Sequence, residues 1–184
     1  MDKPSRRTVM VFLGGCAAGV GAVAIGSALY IAAGVFNTAA AVPHNALSYW
    51  ATKAAMIRSV KVRAPSIVAP ARFTPAQTLA GFCAYETDCV ACHGAPAIPR
   101  APWVDGLTPP PPYLIDARQQ WTRSELFLIV RGGVKMTGMP AWDRTRSDRD
   151  IWNLVAFLEA MPKMDSTGYG RMRAAGLCEP KRRP

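Results

Sequence analysis

The stretch Cys89-Val90-Ala91-Cys92-His93 has the spacing of a covalent haem-attachment site. Each cysteine can form a thioether bond to one vinyl group of haem, and the next residue is a histidine that can ligate the iron. Zinc sites and dithiol redox sites also use a C-x-x-C pair. A zinc site would need a second ligand pair, but only His44 and three scattered cysteines remain, and a dithiol site needs no adjoining histidine. The motif therefore predicts one covalently bound haem c.

The positive charge of the 184-residue chain is concentrated near its start. The net charge is +10, and the residues before position 71 contribute +6 of it, from seven basic residues and one acidic residue. No nucleic-acid-reading motif accompanies this charge. A basic region beside an apolar segment favours anionic lipid or an acidic protein surface. We therefore expect a membrane and protein partners, and no nucleic acid.

Residues 9–36 carry no charge over 28 positions. Crossing the hydrocarbon core takes about 20 apolar residues, whereas a cleaved signal has an apolar region of about 7–15. The run therefore predicts an uncleaved, single-pass anchor. Ala39-Ala40-Ala41 as a cleavage site and Leu13-Gly14-Gly15-Cys16 as a lipobox remain alternatives. Basic residues before the run and their scarcity after it place the N-terminus in the cytoplasm and the rest across the membrane.

A basic amphipathic helix is predicted over residues 44–62, where apolar residues alternate with Lys53, Arg58 and Lys61. Two interpretations fit this pattern: a stalk that continues the anchor, or a helix that lies on a membrane surface or a partner. Residues 64–75 contain three prolines and predict an extended tether.

Three further helices carry capping signals in the sequence. Thr74-Pro75 is typical of a helix start, and the pairs Thr122/Glu125 and Ser147/Asp150 are capping boxes. Gly132-Gly133 and Pro162 mark the ends of the second and third helices. These signals predict an all-α domain, interrupted by a proline-dense loop over residues 94–114.

The spacing of Gly81, Tyr85 and Cys89, four residues apart and leading into Cys92-His93, resembles the N-terminal helix of class I cytochromes c. The resemblance covers residues 74–161. It implies a small all-α haem domain in which the C-terminal helix crosses the first helix at Gly81, since only a missing side chain permits such close approach.

The resemblance also implies the iron ligands and the partners of their side chains. Met139 before Pro140 matches the distal ligand, so that His93 and Met139 would both bind the iron, with Met136 as the competitor. In the family a proline carbonyl in the proximal loop accepts a hydrogen bond from the ligating histidine. We assign that role to Pro102, with Pro99 as the rival and a plain rigid loop as the other interpretation. Asp143 stands where many relatives carry glycine.

The predicted organisation has five parts: a cytoplasmic basic segment (1–8), a transmembrane anchor (9–36), a juxtamembrane helix and proline-rich tether (37–73), a cytochrome c haem domain (74–162) and a basic C-terminal tail (163–184). Cys83 and Cys178 could form a disulfide that joins the tail to the first helix of the domain, because exported chains enter an oxidising compartment.

The predicted function is a monohaem electron carrier at the inner membrane, with its haem domain on the periplasmic side. It would exchange single electrons with respiratory partners, such as an oxidase, a reductase or a dehydrogenase, and perform no substrate chemistry of its own. A dedicated haem subunit of a larger dehydrogenase or oxidase complex is the main alternative. An enzyme or gas sensor with an open sixth site would require that Met139 does not bind, and His44 as distal ligand is disfavoured beside the anchor.

Overall fold

The computed structural model describes residues 5–117 and 120–178 and divides the chain into two compact units, up to Val42 and from Pro43 onward. The first unit contains one long helix, α1 (Arg6–Ala32), capped by the side chain of Ser5, which accepts from the Thr8 N–H. The helix is long and apolar enough to cross a membrane. It covers most of the predicted anchor.

The described residues of the second unit form α-helices and short 3-10 turns, joined by loops. Its helices are α2 (Ala46–Arg63), α3 (Pro75–Asp88), α4 (Val90–His93), α5 (Leu114–Ala117), α6 (Arg123–Gly132), α7 (Asp148–Ala160) and α8 (Ser166–Ala174). Short 3-10 turns lie at Ala64–Ser66, Pro102–Gly106, Trp142–Arg144 and Met161–Lys163. The prediction of an all-α fold is confirmed.

The three predicted capping signals form in the structure. Thr74 and Gln77, Thr122 and Glu125, and Ser147 and Asp150 each make a reciprocal capping box at the start of α3, α6 and α7. Each box satisfies backbone donors that the first helical turn leaves free. Local sequence therefore determines where the three principal helices of the second unit begin.

Helix α7 crosses α3 at Gly81, as the resemblance implied. A Cβ atom at Gly81 would overlap the carbonyl oxygen of Asn153 and lie 2.8 Å from the Cβ of Phe157. The crossing is filled by aromatic side chains, with Phe82 and Tyr85 of α3 packed against Phe157 at ring-centroid distances of 5.6 and 5.2 Å. All three are buried. The α3–α7 crossing is the centre of the core.

The proline-rich segment before α3 lies against α6, within the second unit. Its backbone has no regular structure over residues 67–74, but Arg123 of α6 donates to the carbonyls of Pro70 and Ala71, at 2.7 Å each. Ser124 donates to the carbonyl of Ile67 at 2.9 Å. The segment expected to be an extended tether is thus held by the side chains of α6.

The segment predicted as a tail contains the helix α8. Tyr169 of α8 is fully buried against Phe82, and its hydroxyl donates to the carboxylate of Glu86. A disulfide joins Cys83 to Cys178, across 95 residues of sequence. The chain beyond residue 162 therefore contributes to the core, at least as far as Cys178.

Candidate haem site

Cys89, Cys92 and His93 lie on one turn of helix. The backbone N–H groups of Cys92 and His93 both donate to the Cys89 carbonyl, at 3.1 and 2.9 Å. Gly94 ends the turn at φ +64°, a conformation that residues with a side chain rarely adopt. Both thiols are free. The turn presents two thiols and one imidazole from consecutive positions.

The environment of Cys89 does not favour dithiol redox chemistry. Burial, with the Asp88 carboxylate as the second cause, raises the pKa of the Cys89 thiol to about 12, although Arg146 acts in the opposite direction. Reactive dithiol pairs instead depend on a lowered thiol pKa, because the thiolate is the nucleophile. At neutral pH the Cys89 thiol is protonated, which argues against the thioredoxin-like interpretation of the motif.

The imidazole of His93 is oriented by a backbone carbonyl. Its Nδ1 lies 2.8 Å from the carbonyl oxygen of Pro112. Because a carbonyl can only accept, Nδ1 carries the proton and Nε2 is left as the lone-pair nitrogen. Burial lowers the pKa of His93 below its ordinary value, while the bond to Pro112 acts the other way. The histidine is therefore held in the neutral form that ligates a metal.

The proline that accepts this bond differs from the one predicted. Pro102, the predicted acceptor, begins the 3-10 turn Pro102–Gly106, and its rival Pro99 precedes that turn. The carbonyl that meets His93 is that of Pro112, 19 residues after the histidine. The assignment to Pro102 is wrong because the loop approaches the His93 ring at Pro112, ten residues after Pro102.

Arg100 fixes the part of the loop that contains this carbonyl. Its guanidinium donates to the Pro111 carbonyl at 2.8 Å and pairs with Asp105 at 2.7 Å. It also lies 5.0 Å from the centre of the Tyr113 ring. Arg100 therefore holds the residues on both sides of Pro112. Sequence analysis missed this arginine, which lies in no recognisable motif.

Tyr85 supports the same region from the core side. Its hydroxyl donates to the Gly94 carbonyl at 2.5 Å, and the residue is fully buried. Gly94 itself is closely packed, since a Cβ there would lie 3.0 Å from the Tyr113 ring and 2.9 Å from the Ile98 carbonyl. The resemblance implied an aromatic residue at position 85 for packing. The structure adds a hydrogen bond to the residue that follows His93.

Met139 lies in a tight loop after α6, and it is partly buried against the hydrophobic core. Its N–H donates to the Thr137 hydroxyl at 3.1 Å, and its carbonyl accepts from Val134 at 3.2 Å. Met136, the competing ligand, is 71% exposed and has φ +62°. Of the two methionines, Met139 has the position expected of a residue that faces the interior.

The loop that follows His93 contacts the loop that carries Met139. A Cβ at Gly138 would lie 3.0 Å from the side chain of Leu107, which belongs to the loop after His93. The structure thus places Cys89, Cys92 and His93 on one turn and brings the Met139 loop against the loop that follows that turn. Leu107 was not singled out in the sequence.

This donor set fits haem c. The site offers two free thiols, a neutral imidazole with a free Nε2 and a partly buried thioether, which are the groups that covalent haem attachment and iron ligation use. Within residues 5–117 and 120–178, by contrast, no cluster of three or more His, Cys, Asp or Glu side chains is arranged for a metal ion. A zinc site lacks its ligands there.

Comparison with protein families gives the same result. The family described as cytochrome c oxidase, cbb3-type, subunit III matches residues 76–158, a little under half of the chain. Residues 76–158 are a c-type cytochrome domain. The cytochrome domain contains Cys89, Cys92, His93 and Met139, and it implies a bound haem c and a role in electron transfer. No curated protein matches the chain.

Proposed function

We propose that the protein is a membrane-tethered cytochrome that carries single electrons through one haem c between redox proteins. Cys89 and Cys92 would hold the haem covalently, and His93 and Met139 would ligate its iron. The observation that carries this proposal is the His93 side chain, fixed at Nδ1 and free at Nε2 within the cytochrome domain. When bound, the haem supplies an iron whose valence changes as an electron arrives and leaves.

The surroundings of His93 and Met139 suit both residues to ligate iron. The Pro112 carbonyl fixes the His93 tautomer and ring orientation, and such a bond makes the imidazole a better ligand. Met139 offers a soft, neutral sulfur, which favours ferrous iron and raises the reduction potential. The packing of Met139 against the core removes part of this residue from water. Together these features suit an electron carrier.

Substitution of the two candidate methionines tests the proposed ligation. We expect Met139→Ala to retain covalent haem, to lose the sulfur-to-iron absorption band of the oxidised protein, to bind added carbon monoxide when reduced and to have a lower potential. Met136→Ala is the matched control and should keep the band, because its side chain is exposed. Loss of the band in Met136→Ala alone would show that Met139 is not the ligand.

The proposed location is the inner membrane, with the cytochrome domain on the periplasmic side. Helix α1 is the anchor, and Arg6 and Arg7 at its start favour a cytoplasmic N-terminus. Washing membranes with alkaline carbonate should leave the haem absorbance in the membrane fraction. Release of the haem protein into the wash would contradict the tether.

A second candidate is a dedicated haem subunit of an oxidase complex. The family match favours it, because that family is described as a subunit of cbb3-type cytochrome c oxidase. Purification in a mild detergent distinguishes the two candidates. Co-purification with partners in fixed stoichiometry supports the subunit role, whereas a purely monomeric particle supports the independent carrier.

A further inference from the structure

We propose that α2 holds the second unit, which contains the cytochrome domain, against an anionic phospholipid surface. The contact would be made by the outer face of α2, defined by the residues Leu47, Trp50, Ala51, Arg58, Lys61 and Val62. This inference rests on the membrane tether proposed above. It adds a second contact with the bilayer, made by the folded unit itself.

The outer face is an exposed strip in two groups, at the start and at the end of α2, with the half-buried Ala54 between them. Its residues are separated by 3, 4, 7 and 11 positions, which places them on one side of a helix. The large apolar side chains on it are exposed to an unusual degree: Leu47 at 72%, Trp50 at 66% and Val62 at 73%. Large apolar groups gathered on one exposed face indicate an interaction site.

The other side of α2 is packed against the unit. Met56, Ile57 and Val60 are half-buried, and Ala64, directly after the helix, is buried. The segment that follows is fixed by α6, where Ser124 donates to the carbonyl of Ile67. Because α2 is held in this way, its outer face stays exposed on the surface of the unit and is available to another molecule.

The charge around this face fits anionic lipid. No acidic residue occurs between Lys3 and Tyr85, while Arg58 and Lys61 lie on the outer face and Lys53 and Arg63 elsewhere on α2. Each basic residue near an anionic membrane surface strengthens binding to that surface. Tryptophan and tyrosine favour the boundary between headgroups and acyl chains, and Tyr49 lies next to Trp50. The combination is typical of an interfacial helix.

The bilayer is within covalent reach of α2. Ala46 follows the last residue of α1, Ala32, by fourteen positions. An extended chain covers at most about 3.5 Å per residue, so these positions can span up to about 50 Å. If α1 crosses the membrane, the effective concentration of lipid at the outer face is high, and weak contacts suffice for stable docking.

Tryptophan fluorine NMR of the full chain tests the proposal. The protein has five tryptophans, so that 5-fluorotryptophan labelling gives five signals, of which Trp50→Phe assigns one. The reduced protein is placed in phosphatidylglycerol nanodiscs that contain a lipid labelled with a gadolinium chelate, which the reductant leaves paramagnetic. We expect loss of the Trp50 signal by paramagnetic broadening. Trp103, with a similar exposure of 61%, is the internal control and should stay sharp.

The charge requirement has its own control variants. In phosphatidylcholine nanodiscs the Trp50 broadening should be weaker, and Arg58→Gln with Lys61→Gln should weaken it in phosphatidylglycerol. The double variant Arg144→Gln with Lys163→Gln removes the same charge from exposed positions outside α2 and should leave the broadening unchanged.

Three results would overturn the inference. A sharp Trp50 signal in nanodisc-bound protein means that a protein partner or solvent covers the face, and the tether alone survives. Equal broadening in the two lipids removes the anionic requirement. A chain that does not enter nanodiscs at all contradicts the tether first, and with it the inference built on it.

Discussion

The two loops that meet at the haem site are held in different ways. Residues 94–113 are tied by side chains, chiefly Arg100, which bonds the Pro111 carbonyl and Asp105, and His93, which bonds Pro112. Residues 133–142 are held by contacts within the loop, with Gly133 packed against the Pro140 carbonyl and the Thr137 hydroxyl bonded to Val134 and Met139. We call residues 94–113 the proximal loop and residues 133–142 the distal loop. We expect the distal loop to lose its conformation when a side chain is added at a packed glycine, and the proximal loop to be destabilised when a side chain distant in sequence from Pro112 is removed.

The largest effect is expected for Gly133→Ala in the distal loop. Gly133 has φ +62° and ψ −168°, and a Cβ there would overlap the backbone of Pro140 and Ala141. A residue with a side chain in this backbone conformation is strained by about 1–3 kcal/mol, and the overlap with Pro140 and Ala141 adds to this cost. We expect lower stability in urea and loss of the sulfur-to-iron band, because the displaced backbone carries Met139.

Gly132→Ala is the matched control for this change. Gly132 is the last residue of α6, and a Cβ there meets nothing within 4 Å. The control should keep the band and the stability of the wild type. If both alanine variants keep the band, backbone packing at Gly133 does not position Met139, and the proposed contrast between the loops is wrong.

A smaller effect is expected for Arg100→Met in the proximal loop. Methionine retains an apolar stem but removes the bonds to Pro111 and Asp105, and a hydrogen bond from a charged group contributes about 2 kcal/mol. We expect a lower unfolding midpoint in urea, followed by haem absorbance. The sulfur-to-iron band should remain, because Met139 lies in the other loop.

Arg144→Met provides the comparison for Arg100→Met. The Arg144 side chain is 87% exposed and lies 3.9 Å from Asp143, so that its removal should leave the midpoint unchanged. Equal midpoints for the two methionine variants would mean that Arg100 does not stabilise the loop. Loss of the band in Arg100→Met would mean that the two loops are mechanically coupled.

The same contrast explains what the sequence could predict. The helix caps at Thr74, Thr122 and Ser147 act locally, and the crossing glycine at position 81 acts through a missing side chain. All four were recognised in advance, although the partner of Thr74 in its capping box, Gln77, was not. Gly133 was also recognised, as a helix stop. Such features depend on the conformation of a few neighbouring residues, which short sequence patterns record.

The features that escaped prediction depend on the path of a long loop. Which carbonyl meets His93 is decided 19 residues away, by a loop that Arg100 and Asp105 hold in place. Several prolines in that loop could supply an acceptor, so spacing alone did not identify Pro112. The helix α8 was missed for a related reason, since its weakly amphipathic sequence is held by one buried residue, Tyr169, and the disulfide of Cys178.

The smallest effect is expected for Tyr85→Phe, which separates core packing from support of the proximal loop. Phenylalanine keeps the ring against Phe157 and removes only the hydroxyl that donates to the Gly94 carbonyl. Loss of one buried hydrogen bond costs about 1 kcal/mol. Tyr113→Phe, whose residue is 45% exposed, is the control in the same loop and should not change the unfolding free energy. If Tyr85→Phe is as stable as the wild type, the Tyr85 hydroxyl does not stabilise the proximal loop, and the bond of Gly94 to Val90 and its close contacts with Ile98 and Tyr113 are sufficient to fix its conformation.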